Sequence, residues 1–153
     1  MPQTLDEQSS KAWRLFLIGY NTLINRIEQE LEATKLPPLA WYSVLWTLES
    51  APKHELRLHE LAEHVLLSRS NTTRLIDRLE SAGLLCRRRC PSDRRGAYAV
   101  LTEEGIMMRK KMWEVYSKGI QQYFAEHLSP EETETLIQVF DRILKKLPES
   151  SVD

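Results

Sequence analysis

A chain of 153 residues with 42% apolar and 28% charged side chains can bury one compact core, extended by helices, but not two large cores. Its formal net charge of -1 argues against a polyanionic partner unless charge is concentrated, because phosphate binding needs a basic footprint. Two cysteines are too few for a disulfide framework, no basic segment leads into an apolar run at the N-terminus, and no stretch approaches the roughly eighteen uncharged residues that cross a bilayer, so a cytoplasmic protein without a membrane partner is expected.

Gln8 to Thr34 places Trp13, Phe16, Leu17, Tyr20, Leu23, Ile24, Ile27 and Leu31 at steps of three and four, which predicts a long amphipathic helix ended by Leu36-Pro37-Pro38. Pro38 suits the first turn of a second helix, whose Trp41, Tyr42, Val44, Leu45 and Leu48 are to be buried on more than one side before Ala51-Pro52 stops it. Glu55 to Leu58 reads as a minor edge strand. His59 to Leu66 reads as a brief helix with Leu61, Ala62 and Val65 inward.

Ser68 or Ser70 is expected to cap the next helix, which turns Thr72, Leu75, Ile76 and Leu79 inward and ends at Gly83, a residue that takes the left-handed conformation easily. Arg69, Ser70, Asn71, Thr73, Arg74, Asp77 and Arg78 then face outward: short polar groups near the N-terminus that fit a major groove, with longer Arg side chains beside them. Leu84 to Cys90 and Ala97 to Leu101 read as antiparallel strands joined by the turn formers of Pro91-Ser92-Asp93-Arg94-Arg95-Gly96. Asp93, two residues before Arg95, is placed to hold that guanidinium outward for a narrow minor groove. From Arg69 to Arg95 there are eight arginines, Arg88 among them, against three acids, so an excess of five positive charges lies here. Two short helices followed by two strands around an Arg-rich turn is the order of a winged helix-turn-helix, and double-stranded DNA is the partner that this charge predicts.

The element order, Asp77-Arg78-Leu79, the wing tip Asp93-Arg94-Arg95-Gly96 and the exit Val100-Leu101-Thr102-Glu103-Glu104-Gly105 resemble the MarR family of bacterial transcription regulators, over nearly the whole chain. The resemblance implies a mainly α fold in which a winged helix-turn-helix with a small antiparallel hairpin is flanked by N- and C-terminal dimerisation helices. It implies that Arg95 is the wing arginine with Asp93 as its orienting partner. Residues 70–81 become the recognition helix, with Ser70, Thr72, Thr73, Arg74 and Arg78 at or near groove-facing positions. Thr72 thus receives two opposed expectations, groove by resemblance and core by periodicity. DNA-binding candidates are Ser68, Arg69, Ser70, Asn71, Thr72, Thr73, Arg74, Arg78, Arg88, Asp93, Arg94 and Arg95.

Thr102 is expected to cap a long helix through about His127, with Ile106, Trp113, Tyr116, Ile120 and Tyr123 on one face and Arg109-Lys110-Lys111 on or beside the solvent side. Ser129-Pro130-Glu131-Glu132 opens a last helix whose stripe is Leu136, Ile137, Phe140, Ile143, Leu144 and Leu147. Two long amphipathic helices at opposite ends are hard to cover within one subunit, so a homodimer is expected, with 8–50 and 103–147 as its helical dimerisation region and 53–102 as the DNA-binding region of a single domain. Its operator would be an inverted repeat with half-sites about 34 Å apart.

By resemblance the effector is a small aromatic or phenolic compound, for which Trp13, Phe16, Tyr20, Trp41 and Tyr42 are the candidate pocket residues, and the activity expected is that of a repressor released by that ligand. The oxidant-sensing branch of the family carries its cysteine in the first helix, where this chain has none. On one strand Cys86 and Cys90 are roughly 13 Å apart, beyond the reach of a bridge. That leaves a thiolate stabilised by neighbouring arginines as a weaker redox reading. His54, His59, His64 and His127 lack partners at metal-binding spacings, and no phosphate loop, nucleophile elbow or HExxH pair is present, so neither a metal, a cofactor nor an enzyme activity is expected. The competing reading is a winged-helix interaction module, an antirepressor or adaptor, that binds protein; the Arg cluster opposes it, since such surfaces favour an apolar centre.

Overall fold

The computed structural model describes residues 3–65, 69–89 and 96–148. Among the described residues six α-helices, α1 (Glu7–Ala33), α2 (Leu39–Ser50), α3 (Leu58–Val65), α4 (Arg69–Ser81), α5 (Glu103–Tyr123) and α6 (Pro130–Lys146), accompany three strands, β1 (Glu55–Arg57), β2 (Leu85–Arg89) and β3 (Ala97–Leu101). The fold is the expected mainly α winged helix-turn-helix with a small antiparallel sheet.

Local chemistry sets the helix ends. Asp6 accepts the Ser9 N–H at 2.7 Å and starts α1 one residue before the expected Gln8, and this bond holds the Asp6 carboxyl below its ordinary pKa. Pro38 is the N-cap of α2 and not part of its first turn; Glu28, reaching across from α1, accepts the Leu39 N–H at 2.8 Å and satisfies a donor that Pro38 has no side chain to cap. Ser129 and Glu132 form the expected reciprocal capping box of α6. The helix expected to run to His127 instead stops at Tyr123, where Phe124 leaves helical geometry (φ -127°, ψ -66°), and a 3-10 turn covers Ala125–His127.

The sheet order is β1-β3-β2, with Glu55 opposite Val100 and Cys86 opposite the same Val100. Leu56, Leu85, Ala99 and Leu101 turn toward the helices. There they meet Val44, Leu45 and Leu48 of α2, Leu61 of α3, Leu75, Ile76 and Leu79 of α4, and Met112 of α5. Complete burial of Leu45, Leu48, Leu61, Leu79 and Leu85 makes this the centre that fixes α4. Gly83 has φ +78°, as expected for a helix C-terminus. Gly105 answers to a different need: a Cβ on it would collide with the Leu84 carbonyl oxygen and lie 2.6 Å from Leu101 Cδ1. Thr102 completes this junction, donating its hydroxyl to the Gly83 carbonyl at 2.7 Å and accepting the Gly105 N–H at 3.0 Å.

Outside the core, Trp13, Leu15, Phe16, Leu17 and Ile18 of α1 and Ile137, Phe140, Ile143 and Leu144 of α6 are exposed. Phe140 stacks tilted on Phe16 and Phe16 on Trp13, with ring centroids 5.6 and 5.8 Å apart. Among the described residues no helix is long and apolar enough to cross a membrane.

Candidate nucleic-acid interface

Helix α4 divides along its length as a half-buried helix must. Leu75, Ile76 and Leu79 enter the core, and Thr72, 3% exposed, goes with them. The periodicity expectation for Thr72 therefore holds and its groove-facing placement is corrected: one turn before Ile76, it lies on the stripe that packing claims. Asn71, Thr73, Arg74, Asp77 and Arg78 are exposed on the opposite side. The helix begins at Arg69, so Ser70 lies within its first turn and does not cap it. Ser68, Cys90, Asp93, Arg94 and Arg95 lie outside the described residues, as do the side chains of Arg69 and Ser70.

The arginines of β2 are spent differently from those of α4. Arg87 forks onto two acids of α4: one amino group donates to Glu80 Oε1 at 2.8 Å and the other to Asp77 Oδ1. Glu80 also accepts the backbone N–H of Arg87 at 2.7 Å. Burial opposes the charge on Arg87, yet the carboxylates of Asp77 and Glu80 outweigh it and hold the guanidinium above its ordinary pKa. Arg88 donates to Glu55 of β1 at 2.7 Å and lies over the Tyr98 ring, 4.8 Å from its centroid, with half its side chain exposed. Arg57 approaches the same ring at 5.7 Å, so the outer face of the sheet carries Arg57, Tyr98 and Arg88 in cross-strand register. Asp77 and Glu80 are already counted in the excess of five charges read from the sequence, so of the described pairs Glu55 alone reduces it, while Arg74 and Arg78 stand exposed on α4 and Arg89 on β2.

Residues 39–96, spanning α2 to the end of the wing turn, match the model of the MarR family. Over the full chain the structure superposes with a TM-score of 0.88 on Sco3205, a MarR family transcriptional regulator from Streptomyces coelicolor crystallised in complex with DNA, at 27% identity and covering 100% of this chain and 96% of that one. A MarR family domain therefore occupies residues 39–96 of the chain. The HTH-type transcriptional regulator MhqR of Bacillus subtilis is 26% identical over 138 residues, 88% of this chain and 92% of MhqR. The HTH-type transcriptional regulator YkoM of the same organism is 36% identical over 81 residues, and there the chain spans about half of its relative, 52%. The MarR family is one of transcription regulators, not of enzymes.

The five aromatic residues expected to line a pocket do not come together. Trp13 and Phe16 belong to the exposed cluster with Phe140, and Trp41 packs half-buried against the core. Tyr42 instead stacks on Trp113, 5.9 Å between centroids, and meets the edge of Tyr116 at 5.1 Å. With Trp46 and Arg109 these three line an open cleft of about 520 Å³ between α2 and α5. Burial, then the Tyr42, Tyr20 and Glu28 side chains, push the Tyr116 phenol above its ordinary pKa; Tyr20 itself is exposed and does not line the cleft. Arg109 is not on the solvent side: it is half-buried, pairs with Glu49 through Nε and Oε2, and lies 5.6 Å from the Trp46 ring centroid. Lys110 and Lys111 are exposed as expected. Cys86 is exposed on β2. Among the described residues no group of three His, Cys, Asp or Glu side chains is arranged to hold a metal ion.

Proposed function

We propose that this chain is a sequence-specific DNA-binding transcription regulator, a homodimeric repressor that occupies an inverted-repeat operator and is released by a small aromatic acid. The observation that carries the reading is the outward row of α4, where Asn71, Thr73, Arg74 and Arg78 stand exposed on a helix whose other side is fixed in the core. Short polar side chains read base edges in a major groove, and the two arginines supply bidentate or phosphate contacts. In this reading Ser68, Arg69 and Ser70 extend the row toward the start of α4. Arg94 and Arg95, the latter oriented by Asp93, enter the adjacent minor groove, and Arg88, half-neutralised by Glu55, adds a weaker phosphate contact. That Sco3205 is crystallised with DNA supports the partner.

The dimer follows from what α1 and α6 leave uncovered: Trp13 is 59% exposed and Leu144 66%, and each such side chain forgoes about 1.5–3 kcal/mol by staying in water. A second copy covering both helices places residues 8–50 and 103–147 at the interface and sets two recognition helices on one face of the duplex. The effector site is the cleft of Tyr42, Trp46, Arg109, Trp113 and Tyr116. Its ring walls suit a flat aromatic body, and Arg109, whose Nε and Nη2 face Glu49, offers its other amino group to a ligand carboxylate.

The test is selection from a randomised duplex pool by the purified protein, repeated with Arg95→Ala. Enrichment of an inverted repeat with half-sites about one helical turn apart, weakened by the substitution, is the expected result. Absence of enrichment at low salt would overturn the reading in favour of a protein-binding module.

A further inference from the structure

Strand β2 is an edge strand, paired with β3 on one side only. Its free side faces α4, and there Arg87 is held three times over. Its guanidinium spans Asp77 and Glu80, one helical turn apart, and its own backbone N–H ends on Glu80. The two acids sit on α4 within the stretch that carries the exposed Arg74 and Arg78, so the bracket lies beside the row offered to DNA. Two residues beyond Arg87, the described part of β2 ends at Arg89, and the sequence runs on to Arg94 and Arg95. The Arg87 side chain is 29% exposed and both its amino groups are engaged by carboxylates, an arrangement that withdraws it from phosphate binding. Lysine could not replace it, because one ammonium cannot present the same planar fork to two carboxylates.

We propose that Arg87, bracketed by Asp77 and Glu80, is a positioning residue for operator recognition: it locks the recognition helix to the wing strand so that both contact sets meet the duplex in one register, without touching DNA itself. The proposal rests on the DNA-binding reading above. It separates two quantities that a phosphate-contacting arginine would change together. Losing a phosphate contact lowers binding to every sequence and reduces the slope of log affinity against log salt by about one. Losing a positioning contact leaves that slope and the binding of unrelated sequence in place while the advantage of the selected sequence shrinks.

The experiment measures affinity of the full chain for its selected duplex and for a scrambled duplex over a range of salt, with Arg87→Lys, Arg87→Gln and Glu80→Gln, and with Arg74→Ala as the contact control. For all three bracket variants the preference for the selected duplex is expected to fall about tenfold, the scale of coupling between directly bonded side chains, with the salt slope unchanged. Arg87→Gln combined with Glu80→Gln is expected to cost no more than either alone. Arg74→Ala is expected to lower the slope. Glu80→Gln, which changes no volume and works from the helix side, reads the same bracket if the Arg87 variants melt near the assay temperature. A wild-type preference in Arg87→Lys and Glu80→Gln, or a slope reduced by about one in Arg87→Gln, overturns the positioning role. Failure of the unaltered protein to bind any duplex overturns the DNA-binding reading instead, and the two failures are therefore distinct.

Discussion

Two clusters of aromatic rings sit on this chain, and their surroundings differ more than their composition. Trp13, Phe16 and Phe140 join α1 to α6, and all three are exposed. Tyr42, Trp113 and Tyr116 join α2 to α5 around a concavity that also holds the Glu49–Arg109 pair. An exposed apolar ridge is stabilised by any complementary apolar surface, and in the proposed assembly a second copy supplies one. A concave wall of rings beside a charged group selects for shape and charge, which suits a small acid. On that proposal the same residue types serve assembly at one place and ligand selection at the other.

The sharpest way to break this contrast is to put charge on the ridge. Phe140→Asp with Ile143→Asp is expected to weaken self-association by a hundredfold or more, on the order of an interface hot spot, and sedimentation equilibrium would show monomers where the parent is dimeric. The cleft should still bind its ligand. Next in size, Arg109→Gln is expected to weaken binding of an aromatic carboxylate such as benzoate by about tenfold to a hundredfold, read by quenching of Trp46 and Trp113 fluorescence, because it removes a charge-assisted bond. The neutral analogue benzamide should lose much less; equal losses for both would refute the carboxylate contact.

A smaller effect belongs to the junction that joins both regions to the DNA-binding unit. Thr102→Ala removes the N-cap of α5 and the bond to Gly83, an expected loss of about 1 kcal/mol in denaturant unfolding with recognition contacts untouched. The smallest is a pH effect confined to the cleft. Burial raises the folded pKa of Tyr116 above the unfolded value, so the stability contributed by its neutral phenol is fully present below the unfolded pKa and is lost as pH rises through the folded one. Tyr116→Phe should therefore flatten the alkaline limb of the stability profile while leaving it unchanged near neutrality.

Much of the frame was legible because it follows local rules. The stripe of α1, the capping box of α6, the left-handed Gly83, the short edge strand and the inward turn of Thr72 can each be derived from a few neighbouring residues. What escaped depends on partners brought from elsewhere. Arg87 looked like one more positive charge until the fold placed Asp77 and Glu80 against it. Arg109 looked solvated beside two lysines, and Glu49 lies on another helix. The aromatic partners of Tyr42 come from α5, so spacing within the first two helices grouped rings that the fold sets apart. The end of α5 at Tyr123 carries neither proline nor glycine to announce it. Asp77 in the resemblance motif was a usable clue, since an acid on a face expected to meet phosphate needs a cation of its own.

The central place of β3 in the sheet governs the order in which the molecule can be made. Glu55 pairs with Val100, so at ordinary synthesis rates β1 waits about 2–9 s on the ribosome for its neighbour to be translated. β2 waits for the same strand, and its register is complete only at Leu101, one residue after the last partner of β1 at Val100. The recognition helix is thus synthesised before the sheet that braces it exists, and a nascent chain arrested short of Leu101 carries the arginines of α4 without the frame that aims them.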